Sequence, residues 1–524
     1  MNNPDVPLRP SVDTDGCACA AKIKRLHDLP AILRDARDKG ARVVHCHGVF
    51  DLLHIGHIKH LQAARKHGDV LVVTITPDRF VNKGPHRPAF PERLRAEALA
   101  SLECVDYVAI NEWATAIETI QLLRPQLYVK GFVRSEGPRD HTDAINQEEQ
   151  AVQSVGGQLL LTEEETFSAS ALINRFVDVF SPEAKAFLQD FGQRHPAKEV
   201  VANLQKIQGM KVLVVGETVI DEYHFCDVMA KSNKDPILAA RHLYTETYAG
   251  GILAIANHLG GFCDSVGLLS FLGEIDSHES FIASKLSPSV RARFLRKPGS
   301  PTIVKRRFLQ EYLAVKLFEV YLMQNEQLAP PEESAFCQAL EEMLPQYDVV
   351  VVADYGHGLL TEEAVSVLCR GAKFLAVNAQ TNAGNRGFNF ISKYPRADYI
   401  SIDEPEARLE TRNPKADLRD LTRVISEKTH CDKVMVTRGK KGCLMYDAGR
   451  FVEVPAFAVR LVDRIGAGDA VLAITAPCAA MGLSADEIGF IGNVAGAEAC
   501  AIMGNSAAID KTGLFRHVSS LLEW

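Results

Sequence analysis

Short apolar runs alternate with helix-patterned segments along most of this chain, and that alternation restricts its fold more than any other feature. The runs "ARVVHC", "DVLVVTIT", "DYVAIN", "QLYVKG" and "QLLLTEE" have strand length. Segments such as "RPAFPERLRAEALASLE" and "WATAIETIQLLRP" separate them, with apolar residues at helical spacing. Strands alternating with helices predict a parallel sheet covered on both faces. The alternation begins near Ile23, ends near Phe180 and resumes in "KVLVVG", "YDVVVVADYG", "KFLAVNA", "DYISID" and "KVMVTRG". The expected fold class is therefore α/β, with two doubly wound parallel-sheet domains at 23–180 and 209–524. Residues 1–22 read as a flexible leader, and the polar stretch 181–208 as a helical linker. Between Asp221 and Tyr321 the pattern changes: "DPILAARHLYTETYAGG" and "PTIVKRRFLQEYLAVKLFEVYLM" read as strands of a separate small sheet, a lid over a cleft.

Composition limits the partners. A chain of 524 residues exceeds what one core organises, in keeping with two domains. A net charge of −8 argues against a dedicated nucleic-acid binder. No apolar run approaches membrane-spanning length, and "MNNPDVPLRPSVDTDG" lacks the apolar centre of a signal peptide, so a cytoplasmic location is expected. The twelve cysteines show no paired spacing of a structural zinc site and read as reduced packing residues.

The stretch "HGVFDLLHIGH", His47 to His57, joins a strand to a helix. Its glycines permit a tight bend or close ligand approach, and a helix N-terminus flanked by imidazoles suits an anion. His54 and His57 bracket Ile55-Gly56 at the helix start. From one helical turn both can reach a polyphosphate and donate to oxygens on which charge develops. The stretch resembles the signature of the nucleotidyltransferase α/β phosphodiesterase superfamily. With "RPAFPERLRAEALASLECVDYV" and "LRPQLYVKG" it is similar to the adenylyltransferase half of bifunctional heptose-phosphate kinase/adenylyltransferases, over most of residues 23–180. The resemblance implies transfer of a nucleoside monophosphate to a sugar 1-phosphate with release of pyrophosphate, His54 and His57 stabilising the transition state. It further implies nucleotide or phosphate contacts from Phe50, Asp51, Gly56, Lys83, Arg93 and Lys130, and from Ser168 and Ser170 in "TFSASALI". For Lys83 and Arg93 the alternative is a solvated helix face; for Ser168, a plain N-cap. His47 departs from the small polar residue of the family, and "VKGFVR" from its glycine-aspartate ending. A class I aminoacyl-tRNA synthetase would share the histidines, but its lysine-rich second signature is missing.

Near the C-terminus stands "VDRIGAGDAVLAITAPCAAMG". Gly466, Ala467 and Gly468 let backbone N–H groups face a concavity at a helix start, an anion hole for a transferring phosphoryl group. Asp469 at its mouth can accept a proton from an attacking hydroxyl. Together with "GETVIDEYH", "AGGILAIANHLGG", "VVADYGHGLL", "DEPEARL" and "VTRGKKG", the segment resembles the ribokinase-like (PfkB-type) carbohydrate kinases over about residues 209–520. It is most similar to the heptose-phosphate kinase half of the same bifunctional enzymes. The resemblance implies Asp469 as catalytic base and Asp221, Gly250, Gly251, Asn257 and Asp354 at the sugar. Asp403 and Glu406 would organise magnesium through water, and Thr437, Gly439 and Asn493 would lie near the nucleotide. It also implies a homodimer through the lid.

Departures are specific. Arg464 and Ile465 replace the family's threonines, Asp403 an asparagine, and Asn378-Ala379-Gln380 an Asp-Pro-Lys. The amides of Asn378, Gln380, Asn382 and Asn385, with Arg386, read as hydroxyl and phosphate partners instead. The domain order is the reverse of that in the enzymes resembled. The expectation is a bifunctional enzyme of nucleotide-sugar synthesis. It would phosphorylate a sugar or sugar phosphate at the anomeric hydroxyl, then form an ADP-heptose-type product, using ATP and Mg2+. The alternative keeps only the nucleotidyltransferase active, on CTP with a polyol or sugar phosphate. The kinase-like block is then a binding or dimerisation module.

Overall fold

The computed structural model describes residues 19–81, 88–132, 140–163, 180–232, 234–312, 315–458 and 461–523. The chain divides into two compact units, Met1–Val179 and Phe180–Leu522.

The first unit holds five strands: β1 (Val43–Gly48), β2 (Val70–Ile75), β3 (Tyr107–Ile110), β4 (Leu127–Phe132) and β5 (Gln158–Glu163). Their order is β3-β2-β1-β4-β5, all pairs parallel. Successive side chains of a strand point to opposite faces, so Val44 and Cys46 pack with Leu61 and Ala64 of the helix Ile55–Arg65. Val43 packs with Leu29 and Leu33 of the helix Leu29–Asp38 on the other side. The strand order reverses at β1 and β4, which opens a crevice at their C-terminal ends where ligands of such sheets bind. Packing reaches into the end of the expected leader, where Lys22 Nζ donates to Leu102 O at 2.9 Å, next to the bridge from Ile23 to Val108.

The second unit is built on a nine-stranded sheet. Its members are β6 (Lys211–Gly216), β9 (Ser265–Ile275), β10 (Val290–Pro301), β13 (Val349–Asp354), β14 (Leu375–Ala379), β15 (Tyr399–Asp403), β16 (Lys433–Thr437), β17 (Cys443–Asp447) and β18 (Arg450–Val454). The order is β10-β9-β6-β13-β14-β15-β16-β17-β18. It is parallel as far as β16; β17 and β18 add antiparallel strands at the edge. That edge departs from the all-parallel expectation because two short turns reverse the chain, one at Arg438–Gly442 between β16 and β17 and one at Ala448 and Gly449, both at positive φ, between β17 and β18.

The lid is a separate four-stranded sheet in the order β12-β11-β7-β8, made of β7 (Thr218–Lys231), β8 (Leu238–Gly251), β11 (Ile303–Gln310) and β12 (Val315–Leu322). One residue, Glu217, separates β6 from β7, and one, Thr302, separates β10 from β11. Two main-sheet strands thus run directly into the lid. The helices Pro182–Arg194 and Ala197–Lys206, expected as a linker, pack on the second unit. Phe191 stacks on Phe490 at 4.5 Å, and Asn203 Nδ2 donates to Glu487 Oε1 at 3.0 Å. No helix among the described residues is long and apolar enough to cross a membrane.

Candidate active sites

In the first unit the histidine motif lies at the sheet's reversal point, between the end of β1 and the helix Ile55–Arg65. His54 is that helix's N-cap, with extended backbone, and its Nδ1 accepts from Gly56 N at 3.2 Å. With Nδ1 accepting, the neutral ring carries its proton on Nε2. The His57 ring stacks on that of His54, centroids 3.8 Å apart and planes 25° from parallel. Phe50, at φ 48°, sets its ring edge-on to His57 at 5.2 Å. The motif therefore presents two face-to-face imidazoles over a helix start, where the first N–H groups lack helical acceptors.

Its surroundings sort the other candidates. Asp51 is buried, and its Oδ1 accepts from Ala89 N and from Phe90 N, the latter at 3.3 Å, so it shapes the segment before the helix Glu92–Ala100. Arg93 is exposed and paired with Glu97 at 3.1 Å, the geometry of a solvated helix face. Lys130 forms an ion pair with Glu148. Lys83, Ser168 and Ser170 lie outside the described residues. His47 is held by Thr74 Oγ1 at 2.8 Å and Thr76 Oγ1 at 3.2 Å, and His45 by Thr74 at 2.7 Å. Burial lowers the His47 pKa to about 3, with the Lys130 charge acting in the same direction. Both histidines are neutral at pH 7 and structural in placement.

In the second unit, Gly466 is the N-cap of the helix Ala467–Ala480, at φ 84°, and a Cβ there would meet Asn505 Oδ1 at 2.2 Å. Only glycine fits both demands. A Cβ on Gly468 would meet nothing within 4 Å, so the space above the first helical turn is open for a ligand. Ala467 N donates to Arg464 O at 3.3 Å, closing the turn. That amide is spent on the turn; the anion-facing donors belong to the next residues of the helix.

Asp469 stands beside this opening. It accepts from Tyr355 Oη at 2.8 Å. Burial drives its pKa up to about 7, against the Tyr355 bond, with Asp221 raising it further and Lys305 lowering it. That is the range a general base needs near neutrality. Asp221 lies on β7, paired with Arg307 and reached by Asn505 Nδ2 at 3.3 Å. A Cβ on Gly250 would lie 2.1 Å from Asp221 Oδ2, which is why the end of β8 is glycine. Asn257 uses its amide on Lys285 O and Ser287 N, at 3.0 and 2.8 Å, and lines a cleft with Tyr248, Lys285 and Asn505.

Several expected ligands are spent on the fold. Asp354 is fully buried, accepting from Tyr394 Oη at 2.7 Å, Asn389 Nδ2 and Gly356 N at 3.0 Å, and paired with Lys393. Asn378 donates to Ser401 O, and Asn382 and Asn385 to Tyr355 O, so these amides brace backbone. Asn493 Nδ2 donates to Gly489 O at 3.0 Å. Thr437 and Gly439 stand at the end of β16 and beyond it, with nothing within 4 Å of a Cβ placed on Gly439. Asp403 and Glu406 form a capping box on the helix Glu404–Glu410. Burial and the adjacent Asp403 carboxylate raise the Glu406 pKa. Two crowded carboxylates are a donor set that a hydrated cation would relieve.

Lys305, Arg307 and Tyr355 were missed by sequence reasoning. Lys305 is 5% exposed on β11, its ammonium 5.2 Å from the Tyr321 ring and 5.6 Å from that of Tyr355. The signal was present: in "KRRFL", Lys305 and Arg307 share the parity of buried Leu309.

Comparison with known proteins gives two family matches, pfkB family carbohydrate kinase over residues 210–512 and cytidylyltransferase-like over 45–175. The bifunctional protein HldE of Geotalea uraniireducens is 43% identical over 143 residues, 27% of this chain and 28% of that protein. The HldE of Geobacter metallireducens is 37% identical over 166 residues, 31% and 32% of the two chains. The chain thus spans less than a third of the length of these curated relatives. Among solved structures, the Thermotoga maritima ribokinase matches with a TM-score of 0.47 at 17% identity, covering 58% of this chain and 98% of that one. The kinase match takes in more than half of the chain, including the lid, Asp221, the Gly466–Gly468 turn and Asp469, and on that ground the chain belongs to the pfkB family of carbohydrate kinases.

Proposed function

We propose that this chain is a bifunctional transferase that phosphorylates a sugar or sugar phosphate at its anomeric hydroxyl and joins a nucleotide to a sugar 1-phosphate. The observation that carries the kinase half is Asp469, with a pKa near 7, beside the open helix start at Gly468. An acceptor hydroxyl against Asp469 loses its proton to the carboxylate as its oxygen attacks the γ-phosphorus of ATP, whose bond to the β,γ-bridging oxygen breaks so that ADP leaves. The N–H groups of the first turn and the Lys305 ammonium take up charge on the transferring group. Asp403 and Glu406 would hold hydrated magnesium, which screens the polyphosphate. In the first unit, the oxygen of a sugar 1-phosphate attacks the α-phosphorus of a nucleoside triphosphate, and pyrophosphate leaves. The paired imidazoles of His54 and His57 donate to the oxygens that gain charge. The resemblance of "HGVFDLLHIGH" and "LRPQLYVKG" to heptose 1-phosphate adenylyltransferases supports ATP as nucleotide and an ADP-heptose-type product.

The test is mass spectrometry of products from ATP, Mg2+ and a heptose 7-phosphate, with a heptose 1-phosphate in a parallel reaction. A heptose bisphosphate in the first and a nucleotide sugar with pyrophosphate in the second are expected. Absence of the bisphosphate, with nucleotidylation intact, removes the heptose-kinase assignment.

The assembly we propose is a homodimer through the lid. Met229, Ile237, Leu238 and Phe318 on its strands and hairpin are each more than half exposed, an apolar surface that a second copy would cover. Phe318→Glu is expected to convert a dimer to a monomer in sedimentation velocity. A wild type that sediments as a monomer at micromolar concentration rules the dimer out.

A further inference from the structure

The carboxylate of Asp463 is buried three residues before the Gly466 turn, and five donors converge on it. Three are backbone amides: Arg464 N at 2.7 Å and Ile465 N at 3.2 Å, which fold the approach to the turn, and Gly504 N at 3.1 Å. The other two come from the lid: Tyr223 Oη on β7 at 2.6 Å, and Lys316 Nζ on β12, an ion pair. Residue 505, next to Gly504, is the asparagine that meets Gly466 and donates to Asp221. One carboxylate therefore fastens the turn, the loop that shapes it, and two lid strands. The Lys316 side chain is about a third exposed, so its charge is fixed at the lid's inner edge by Asp463 rather than by burial.

We propose that Lys316 is a positioning residue that makes the anion-hole turn conditional on a seated lid, so that phosphoryl-transfer geometry is completed only when the acceptor is enclosed. Without Lys316, Asp463 keeps its burial and four other donors but loses the one cation paired with it among the described residues, and a buried carboxylate left without its counter-charge recruits water or shifts. Either response moves Arg464 and Ile465, whose amides it holds. Donor positions in such a hole matter at the scale of fractions of an ångström. This inference rests on reading Gly466–Asp469 as the phosphoryl-binding turn.

The experiment uses the full chain and has two arms. Hydrogen exchange is measured on peptides covering 461–470 in wild type, Lys316→Met and Lys316→Arg. The amides of the turn are expected to exchange about tenfold faster in Lys316→Met, by local opening, and to regain protection in Lys316→Arg. In steady-state phosphorylation, Lys316→Met is expected to lower kcat about 30-fold, less than the ~10²–10³ for loss of a hole donor itself. The acceptor KM is expected to stay within about threefold, because the acceptor's own contacts are intact. Unchanged exchange in the turn overturns the proposal whatever the activity. Faster exchange in a protein that phosphorylates no sugar leaves the coupling standing and removes the kinase reading. Should Lys316→Met not fold, Tyr223→Phe, which removes the other lid donor, carries the same exchange test.

Discussion

Asp469→Asn is expected to lower sugar phosphorylation by about 10³-fold, within the range for loss of a general base, and to leave nucleotidyl transfer at the wild-type rate. The two activities separate because each site lies within one compact unit of the chain. The amide keeps a carbonyl oxygen that can accept from Tyr355 Oη, so the local packing survives. What it cannot do is take the acceptor's proton. The pH dependence supplies an independent signature. With the carboxyl pushed up to about 7 by burial, the base is largely protonated at pH 6 and ionised at pH 8. Wild-type kcat/KM should therefore climb as pH rises through 7, whereas the residual rate of Asp469→Asn should lack that step.

Stability gives a control with a definite sign. A carboxyl whose folded pKa is raised favours the folded state in its protonated form. Folding stability is therefore lost between the ordinary carboxylate pKa and about 7. At pH 8 the wild type carries that penalty in full and the asparagine variant does not. The melting temperature of Asp469→Asn should thus equal or exceed that of wild type at pH 8. A variant that retains phosphorylation within about threefold of wild type would instead remove Asp469 as the general base, since a general base supplies at least about 10².

How far these sites were legible in the sequence depends on the range of the contacts that build them. Strands β1 to β5 and the parallel members of the larger sheet follow from local apolar runs. The His54/His57 and Gly466–Asp469 motifs follow from a strand, a turn and a helix within a dozen residues or so. Lys305, Arg307 and Tyr355 are different. Tyr355 meets Asp469 across 114 residues, and Arg307 meets Asp221 across 86. Only the fold brings such partners together. Asn378, Asn382 and Asn385 show the opposite limit: their type pointed to hydroxyl ligands, yet their amides close on Ser401 O and Tyr355 O. Side-chain amides serve backbone and ligand alike, and composition cannot say which. Arg95 was likewise passed over. It is 2% exposed and donates to Phe90 O at 3.0 Å, Thr76 O at 2.8 Å and Asp78 Oδ1 at 2.6 Å, bracing the loops around the histidines.

The histidine pair permits an equally sharp test on the other activity. His57→Gln and His54→Asn are each expected to reduce kcat for nucleotidyl transfer by about 10²–10³-fold, the usual loss for one donor to a developing oxyanion, with phosphorylation unchanged. The choice of asparagine at 54 follows from the geometry. His54 Nδ1 caps the helix by accepting from Gly56 N, and asparagine is among the best N-cap residues, so the helix start is retained while the imidazole donor is lost. Alanine at 54 would remove both and confound them. Because the rings stack at 3.8 Å, they address one charged group as a unit, and the double variant should be little worse than either single one. Pyrophosphate release from ATP and a sugar 1-phosphate reads the loss directly. Losses that instead multiply in the double variant would show two independent roles. A His57→Gln protein that retains a third or more of its kcat would move the transition-state donors elsewhere in the crevice between β1 and β4.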